Sequence, residues 1–348
     1  MKVEKNRLSN IELLRMVAMF FVLLVHADFF SLGVPTLNEI KQEPTDAFVR
    51  ILFESVSIVC VNVFVLISGW FGIRPTLKGL CNFIFQCFFF LTGLYITTLI
   101  IETSQLSLTG LAGCVFATRL NWFIKAYILL YILAPVLNAF IETASKRVFK
   151  YVLICFFLFT CTYGWIGAAG FMQDGYTTLF FIGLYLLARY MKIYEPKWTL
   201  YKASTDLFIY FGTVLFVTLA SYYLSFPFKR VLMYFFAYIS PTTIIGAVYL
   251  LLCFTKLKFY NRFINWCGIS CFAVFLMHVS PSTLPLFKNT FQYLHGQLTT
   301  MQFWVVTIVI LILIFIISIL IDKIRIYVWN YVSKKYETLL NKNIFSDY

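Results

Sequence analysis

IELLRMVAMFFVLLVHADFF, residues 11–30, is apolar enough to cross a bilayer, yet Glu12 and Arg15 stand at its start and His26 lies deep in the run. An ionisable group in hydrocarbon costs about 3 kcal/mol or more, so it marks a polar interior, a partner or a function. Arg15 and His26 are eleven residues apart, which on a helix is three turns to within about 20°, and about 16 Å of rise. Glu12 precedes Arg15 by three residues, close to one further turn. All three therefore share one helix stripe, expected to face a bundle interior, with Arg15 near the cytoplasmic boundary and His26 in the outer half of the membrane. A purely structural reading is an interfacial Arg–Glu pair plus a histidine that packs helices.

The rest of the chain agrees with a lipid environment. Of 348 residues, 61% are hydrophobic and 12% charged, and the mean hydropathy is +0.84. So few charges cannot cover the apolar surface of a soluble protein of this length, and the 40 Phe and 22 Tyr suit a polytopic membrane protein. The net charge of +13 does not indicate nucleic-acid binding, because the basic residues form short clusters between hydrophobic runs. Such clusters also meet anionic lipid headgroups. The nine Cys are scattered with no CxxC pair and no zinc spacing, so neither a metal site nor a disulfide framework is expected. Cys267 and Cys271 are four apart and read as buried packing on one helix face. The first apolar run is too long for a signal peptide and lacks a small-residue cleavage site, so it is expected to be a retained helix.

About ten segments have the length and apolarity of spans, near residues 11–30, 47–70, 79–101, 121–141, 148–166, 175–191, 206–225, 234–255, 264–285 and 302–322. Residues 104–118 read as a re-entrant or interfacial segment. One set of connections carries Lys2, Lys5, Arg7, Arg74, Lys78, Lys146, Arg147, Lys150, Arg189, Lys192, Lys197, Lys202, Lys256, Lys258 and Arg262, and the C-terminal Lys323, Arg325, Lys334, Lys335 and Lys342. The alternate set holds only Lys41, Arg50, Arg119, Lys125, Lys229, Arg230 and Lys288. This asymmetry puts both termini in the cytoplasm, with Lys229-Arg230 the poor fit. No internal repeat or soluble domain is evident. The expected organisation is one multi-helix transmembrane domain over residues 1–322 and a basic, aromatic cytoplasmic tail over 323–348 that forms an interfacial helix.

Further polar groups lie within the spans. Glu54 is about seven residues from the outer end of the second span, Asn62 lies in its middle, and Ser68-Gly69 closes it before Arg74. A carboxylate at the depth of His26 is suited to fixing the imidazole tautomer and raising its basicity; a protonated Glu54 bonded to a backbone carbonyl is the structural alternative. His278, near the outer end of the ninth span, reaches the same depth, whereas His295 reads as an incidental loop residue. On the other side Arg15, Arg74 and Lys78 are suited to an anion site for phosphate groups, or serve as topology signals.

These pieces together resemble the membrane-bound acyltransferase-3 family, the O-acyltransferases of bacterial surface polysaccharides and related glycans. NIELLRMVAMFFVLLVH resembles its first helix, with an acidic residue before Leu-Leu-Arg, ten residues, then His. VNVFVLISGWF is similar to its Phe-x-x-x-Ser-Gly stretch, NWFIKAYILLYILAPVL to its Trp-Phe…Leu-Tyr…Pro helix, and ISCFAVFLMHVSP to a late Ser…Phe…His helix. The resemblance covers nearly the whole chain in order and spacing, and Arg-x10-His is its most specific part. It implies an all-α bundle of ten transmembrane helices that takes an acyl group from cytoplasmic acyl-CoA, usually acetyl-CoA, to a hydroxyl of a glycan or its lipid-linked precursor. It assigns the essential first-helix pair to Arg15 and His26. The family's basic Arg-x-x-Arg element after the second helix, credited with holding the donor, departs here to Arg74-x-x-x-Lys78. A fused periplasmic esterase-like domain is not expected, which leaves acceptor specificity to the bundle and its loops.

The expected mechanism has Arg15, Arg74, Lys78 and Ser68 around the acyl-CoA, and His26 either as general base on the acceptor hydroxyl or as a covalent acyl carrier. Glu54 orients His26, and His278 binds or polarises the acceptor. The rival reading is a transporter or flippase of a lipid-linked sugar, which predicts repeats and paired broken helices. A third is an assembly protein whose polar groups only pack helices.

Overall fold

The computed structural model describes residues 7–101, 107, 109–110, 113, 121–167, 170–226 and 234–336. Every described element is helical. Among the described residues eight helices are long and apolar enough to cross a membrane, and the chain is an all-α polytopic membrane protein. Helices dominate because hydrocarbon offers no partner for a backbone N–H or C=O, and a helix satisfies both within the segment. The chain forms two compact units, Met1–Ile73 with Leu137–Ile269, and Arg74–Val136 with Ser270–Tyr348.

The first unit is built from α1 (Ser9–Ala27), short α2 (Phe29–Leu32) and α3 (Leu37–Gln42), α4 (Pro44–Ser57) and α5 (Cys60–Phe71). After α6 (Leu77–Ile101) and the first part of α7 (Trp122–Thr143), which belong to the other unit, it adds α8 (Lys146–Phe159), α9 (Thr178–Tyr194), α10 (Ala203–Leu224), α11 (Pro241–Thr255) and α12 (Arg262–Gly268). Helix α1 packs against α4, α5, α11 and α12, α5 against α9, and α10 against both α4 and α11. Close approach of α5 and α9 depends on Gly69, where a Cβ would lie 2.5 Å from the Tyr185 carbonyl oxygen and 2.8 Å from the Ala188 Cβ. Small residues at such crossings let backbones meet in lipid. Gly69→Leu is therefore expected to destabilise the protein by about 1–3 kcal/mol or more through overpacking, read as a lowered Tm of the detergent-solubilised chain. An unchanged Tm would show that the α5–α9 contact is not tight in solution.

The second unit contains α6, most of α7, α13 (Cys271–Val279), α14 (Leu284–Gln297) and α15 (Thr300–Lys335). Helix α13 packs on α6 and α15, with Phe272 stacked on Phe83 at 5.1 Å and Phe275 against Phe123 at 5.6 Å between ring centroids. Arg325 on α15 grips Asp322 through Nε–Oδ1 at 2.8 Å and Nη2–Oδ2 at 3.0 Å. Asn82 Oδ1 accepts from Arg325 Nη1 at 2.9 Å, and Gln86 Nε2 donates to Asp322 Oδ1 at 3.0 Å.

Several expectations are corrected. Spans expected at 175–191 and 234–255 are the helices Thr178–Tyr194, 17 residues, and Pro241–Thr255, 15 residues, about 26 and 23 Å long against roughly 30 Å of hydrocarbon. The second span is interrupted at Ile58–Val59, between α4 and α5. There the Val56 carbonyl accepts from Tyr210 Oη at 2.6 Å, while the Ser55 and Ser57 hydroxyls donate back to Ile51 and Phe53 carbonyls. The Tyr210 hydroxyl thus stands in for a helical donor lost at the break, while the two serine bonds are back-bonds within α4.

Ser68-Gly69 does not close that span. Both lie inside α5, which ends at Gly72 with φ +76°. The boundary expected at residue 322 falls inside α15, a helix of 36 residues, about 54 Å long and so longer than the hydrocarbon. No Gly or Pro interrupts it, and the Asp322–Arg325 pair locks the turn across that boundary. Cys267 and Cys271 are both buried as expected, but on separate helices, α12 and α13. His295 is on α14 rather than in a loop, with its ring 5.1 Å from that of Phe303. Lys2, Lys5, Arg119, Lys229, Arg230 and Lys342, most of 104–118 and the tail beyond Tyr336 lie outside the described residues.

Candidate active site

Helix α1 is unbroken from Ser9 to Ala27, so the expected spacing of about 16 Å between Arg15 and His26 holds. Its first turn is tied to the α11–α12 connection. Asn10 Nδ2 donates to the Phe254 carbonyl at 2.9 Å, and Ser9 Oγ accepts from the Asn261 N–H at 2.9 Å. Glu12 is buried and its Oε1 accepts from two guanidiniums, Arg15 Nη1 at 2.6 Å and Arg7 Nη1 at 2.9 Å. Glu12 itself rests on Gly268, where a Cβ would come within 2.4 Å of Oε2. Two cations on one carboxylate leave a surplus positive charge, and the Arg15 side chain is 32% exposed. This arrangement suits an anion.

At the other end of α1, His26 is half-buried with its ring 4.9 Å from Phe30, and its carbonyl accepts from Ser31 Oγ at 2.5 Å. Beyond it the chain folds into α2 and turns at Gly33, φ +84°. Glu54 is buried on α4 within electrostatic reach of Asp28 and Arg50. Its Oε2 has no hydrogen-bond partner, so the expected bond to the His26 ring is not made through that oxygen. Asn62 is fully buried and donates from Nδ2 to the Tyr238 carbonyl at 2.8 Å.

Sequence reading missed two groups here. Arg50, counted as a loop charge, is 2% exposed and bonds through Nε to Asp28 Oδ1 at 2.8 Å. Its Nη2 also donates to the Gly33 carbonyl. Asp206 and Lys256 form a further ion pair, with Asp206 fully buried. The available signal was the same for all: a charge inside a mainly apolar segment.

The remaining candidates lie as follows. Ser68 donates from Oγ to the Phe64 carbonyl at 3.0 Å, one turn back on α5. A cavity of about 280 Å³ opens beside the first turn of α1, lined by Asn10, Trp70, Lys192, Thr199 and Lys256 among others. Lys192 lies over the Trp70 ring at 5.1 Å. In the second unit, Arg74 is exposed in the connection before α6, and Lys78 is exposed in the first turn of that helix. His278 is buried on α13, with Nδ1 2.6 Å from the Val274 carbonyl and Phe287 at 5.2 Å. A carbonyl only accepts, so Nδ1 carries the proton in this contact.

Polar and charged side chains buried within apolar helices fit several functions, and the comparisons with known proteins narrow them. No curated protein and no solved structure matches the chain. A family model described as an acyltransferase domain matches residues 8–323, a stretch that includes every candidate above. With Arg15 and His26 on one unbroken helix inside the matched region, the chain belongs to the acyltransferase-3 family and is a multi-pass membrane acyltransferase.

Proposed function

We propose that the protein is an O-acyltransferase of the inner membrane, with both termini cytoplasmic, that moves an acyl group, acetyl in the simplest case, from acyl-CoA to a hydroxyl of a cell-surface glycan or its lipid-linked precursor. The observation that carries this reading is the Arg15–His26 stripe on α1 within the matched acyltransferase domain. Arg15 is held by Glu12 and keeps part of its guanidinium exposed, which suits a phosphate of the donor. The cavity beside the same end of α1 offers room for part of that donor. Ser68 is a further proposed donor contact within this unit, and Arg74 and Lys78, basic and exposed in the other unit, are suited to phosphate in their own right.

His26 then acts on the acceptor. As general base its imidazole takes the hydroxyl proton while the oxygen attacks the thioester carbonyl; the C–O bond forms, the C–S bond breaks, and CoA leaves as the thiol after taking up a proton. In a two-step variant the imidazole is acylated first and passes the group on. His278, an imidazole buried within the other unit, is a further proposed contact for an acceptor hydroxyl.

The test compares the surface glycan of the host by mass and proton NMR in a deletion strain and in the same strain complemented with the wild-type gene. Loss of one O-acyl signal in the deletion and its return on complementation are expected, and would identify the acyl group. An unchanged glycan together with an accumulated lipid-linked intermediate would overturn the reading.

A further inference from the structure

Arg50 is among the largest fully buried side chains of the described residues. Among the described residues its hydrogen bonds go to the turn that directly follows His26. Nε donates to Asp28 Oδ1 at 2.8 Å, Nη2 donates to the Gly33 carbonyl, and the guanidinium lies 5.9 Å from the centre of the Phe29 ring. Asp28 opens α2 and Gly33 ends it, so one side chain on α4 spans the whole turn. Phe29 is in turn wedged edge-on against Phe236 at 5.1 Å. From inside the turn, Ser31 Oγ reaches back to the His26 carbonyl.

Such an arrangement is expensive to bury, because the desolvation of two charges opposes folding unless the geometry and extra hydrogen bonds offset it. A packing role would be served as well by apolar residues of the same volume. What the fork adds is direction: two donors in a rigid plane fix two points of a backbone turn at once, which an ammonium cannot do.

We infer that Arg50, with Asp28, is a positioning residue that fixes the end of α1 and thereby the direction of the His26 imidazole. The inference rests on the reading of His26 as the reacting imidazole only for its consequence in catalysis; the geometric part stands without it. Truncating Arg50 frees the turn, and the His26 ring samples orientations in which it no longer meets the acceptor hydroxyl.

The chain has three histidines, so chemical footprinting tests this directly. The full chain in detergent is treated with diethyl pyrocarbonate, and the modification rate of each histidine is followed by peptide mass spectrometry. Wild type is compared with Arg50→Lys, Arg50→Met and the charge-exchanged Asp28→Arg/Arg50→Asp. The rate at His26 is expected to change at least threefold in Arg50→Lys and Arg50→Met, with His278 and His295 unchanged and the exchanged pair returning towards wild type. In host membranes supplied with acetyl-CoA, Arg50→Lys and Arg50→Met are expected to lose kcat at least tenfold with the KM for acetyl-CoA within twofold.

An unchanged His26 rate in both single variants overturns the inference. A rise at all three histidines also overturns it, since that reports a loosened fold rather than a local loss of direction. Should Arg50→Met fail to insert, Arg50→Lys, which keeps the charge but not the fork, decides the matter. Full acetyl transfer by a His26→Ala protein would defeat the catalytic reading and leave the footprinting result to stand or fall alone.

Discussion

Replacing His26 by Ala is expected to lower acyl transfer by about 10²–10⁴-fold, the range in which a positioned general base contributes. The loss should appear in kcat rather than in the KM for acyl-CoA, because the donor contacts proposed at Arg15 lie about 16 Å away along the same helix. Insertion and abundance should be untouched. His26 is half-buried at the last turn of α1, and the core contacts of that helix come from other residues, such as Leu14, Ala18 and Leu23. The measurement is thiol release from acetyl-CoA by membranes carrying equal amounts of each protein, with the O-acyl NMR signal of the glycan as the second readout. Activity within twofold of wild type would remove His26 from the chemistry.

The largest effect on stability is expected at Asp322. Its carboxylate is fully buried and accepts from Arg325 twice and from Gln86 once. Asp322→Ala strands a guanidinium that is itself 3% exposed, and leaving one half of a buried pair unmatched costs about 3–5 kcal/mol. Arg325 would keep only the Asn82 bond among these. The double variant Asp322→Ala/Arg325→Met removes both charges and should recover most of the loss, because an apolar replacement of a whole buried pair is often neutral. Thermal unfolding in detergent, followed by tryptophan fluorescence, separates the two. Equal destabilisation by the single and double variants would mean that shape, not charge, is what the site requires.

The features legible in the sequence are those set by local geometry. The α1 stripe was legible because a helix converts a spacing of eleven residues into one face without help from the rest of the chain, and α1 is unbroken across it. The Glu12–Arg15 pair follows from the same arithmetic at three residues. The all-α membrane class follows from composition, since lipid permits few alternatives to helices. The long last helix was half legible: its apolar part was evident, but a basic, aromatic continuation reads as a separate tail unless a polar partner is known to hold it.

Those partners were contributed by residues far away in the chain. Arg325 meets Asn82 across 243 residues, and Arg50 meets Asp28 across 22 residues and a reversal of direction. A lone arginine near the end of an apolar run carries the same one-dimensional signature whether it sits in a loop or lies buried against a carboxylate. The break at Ile58–Val59 depends likewise on a hydroxyl from Tyr210, 154 residues beyond the carbonyl it satisfies. The sequence by itself determined the helices, their lipid environment and the polar stripe proposed to carry chemistry, because these depend on periodicity and transfer energy along a single segment. Only the tertiary structure decided which buried charges are paired and which turns they hold, because the cost of burying a charge depends on the partner that folding brings to it.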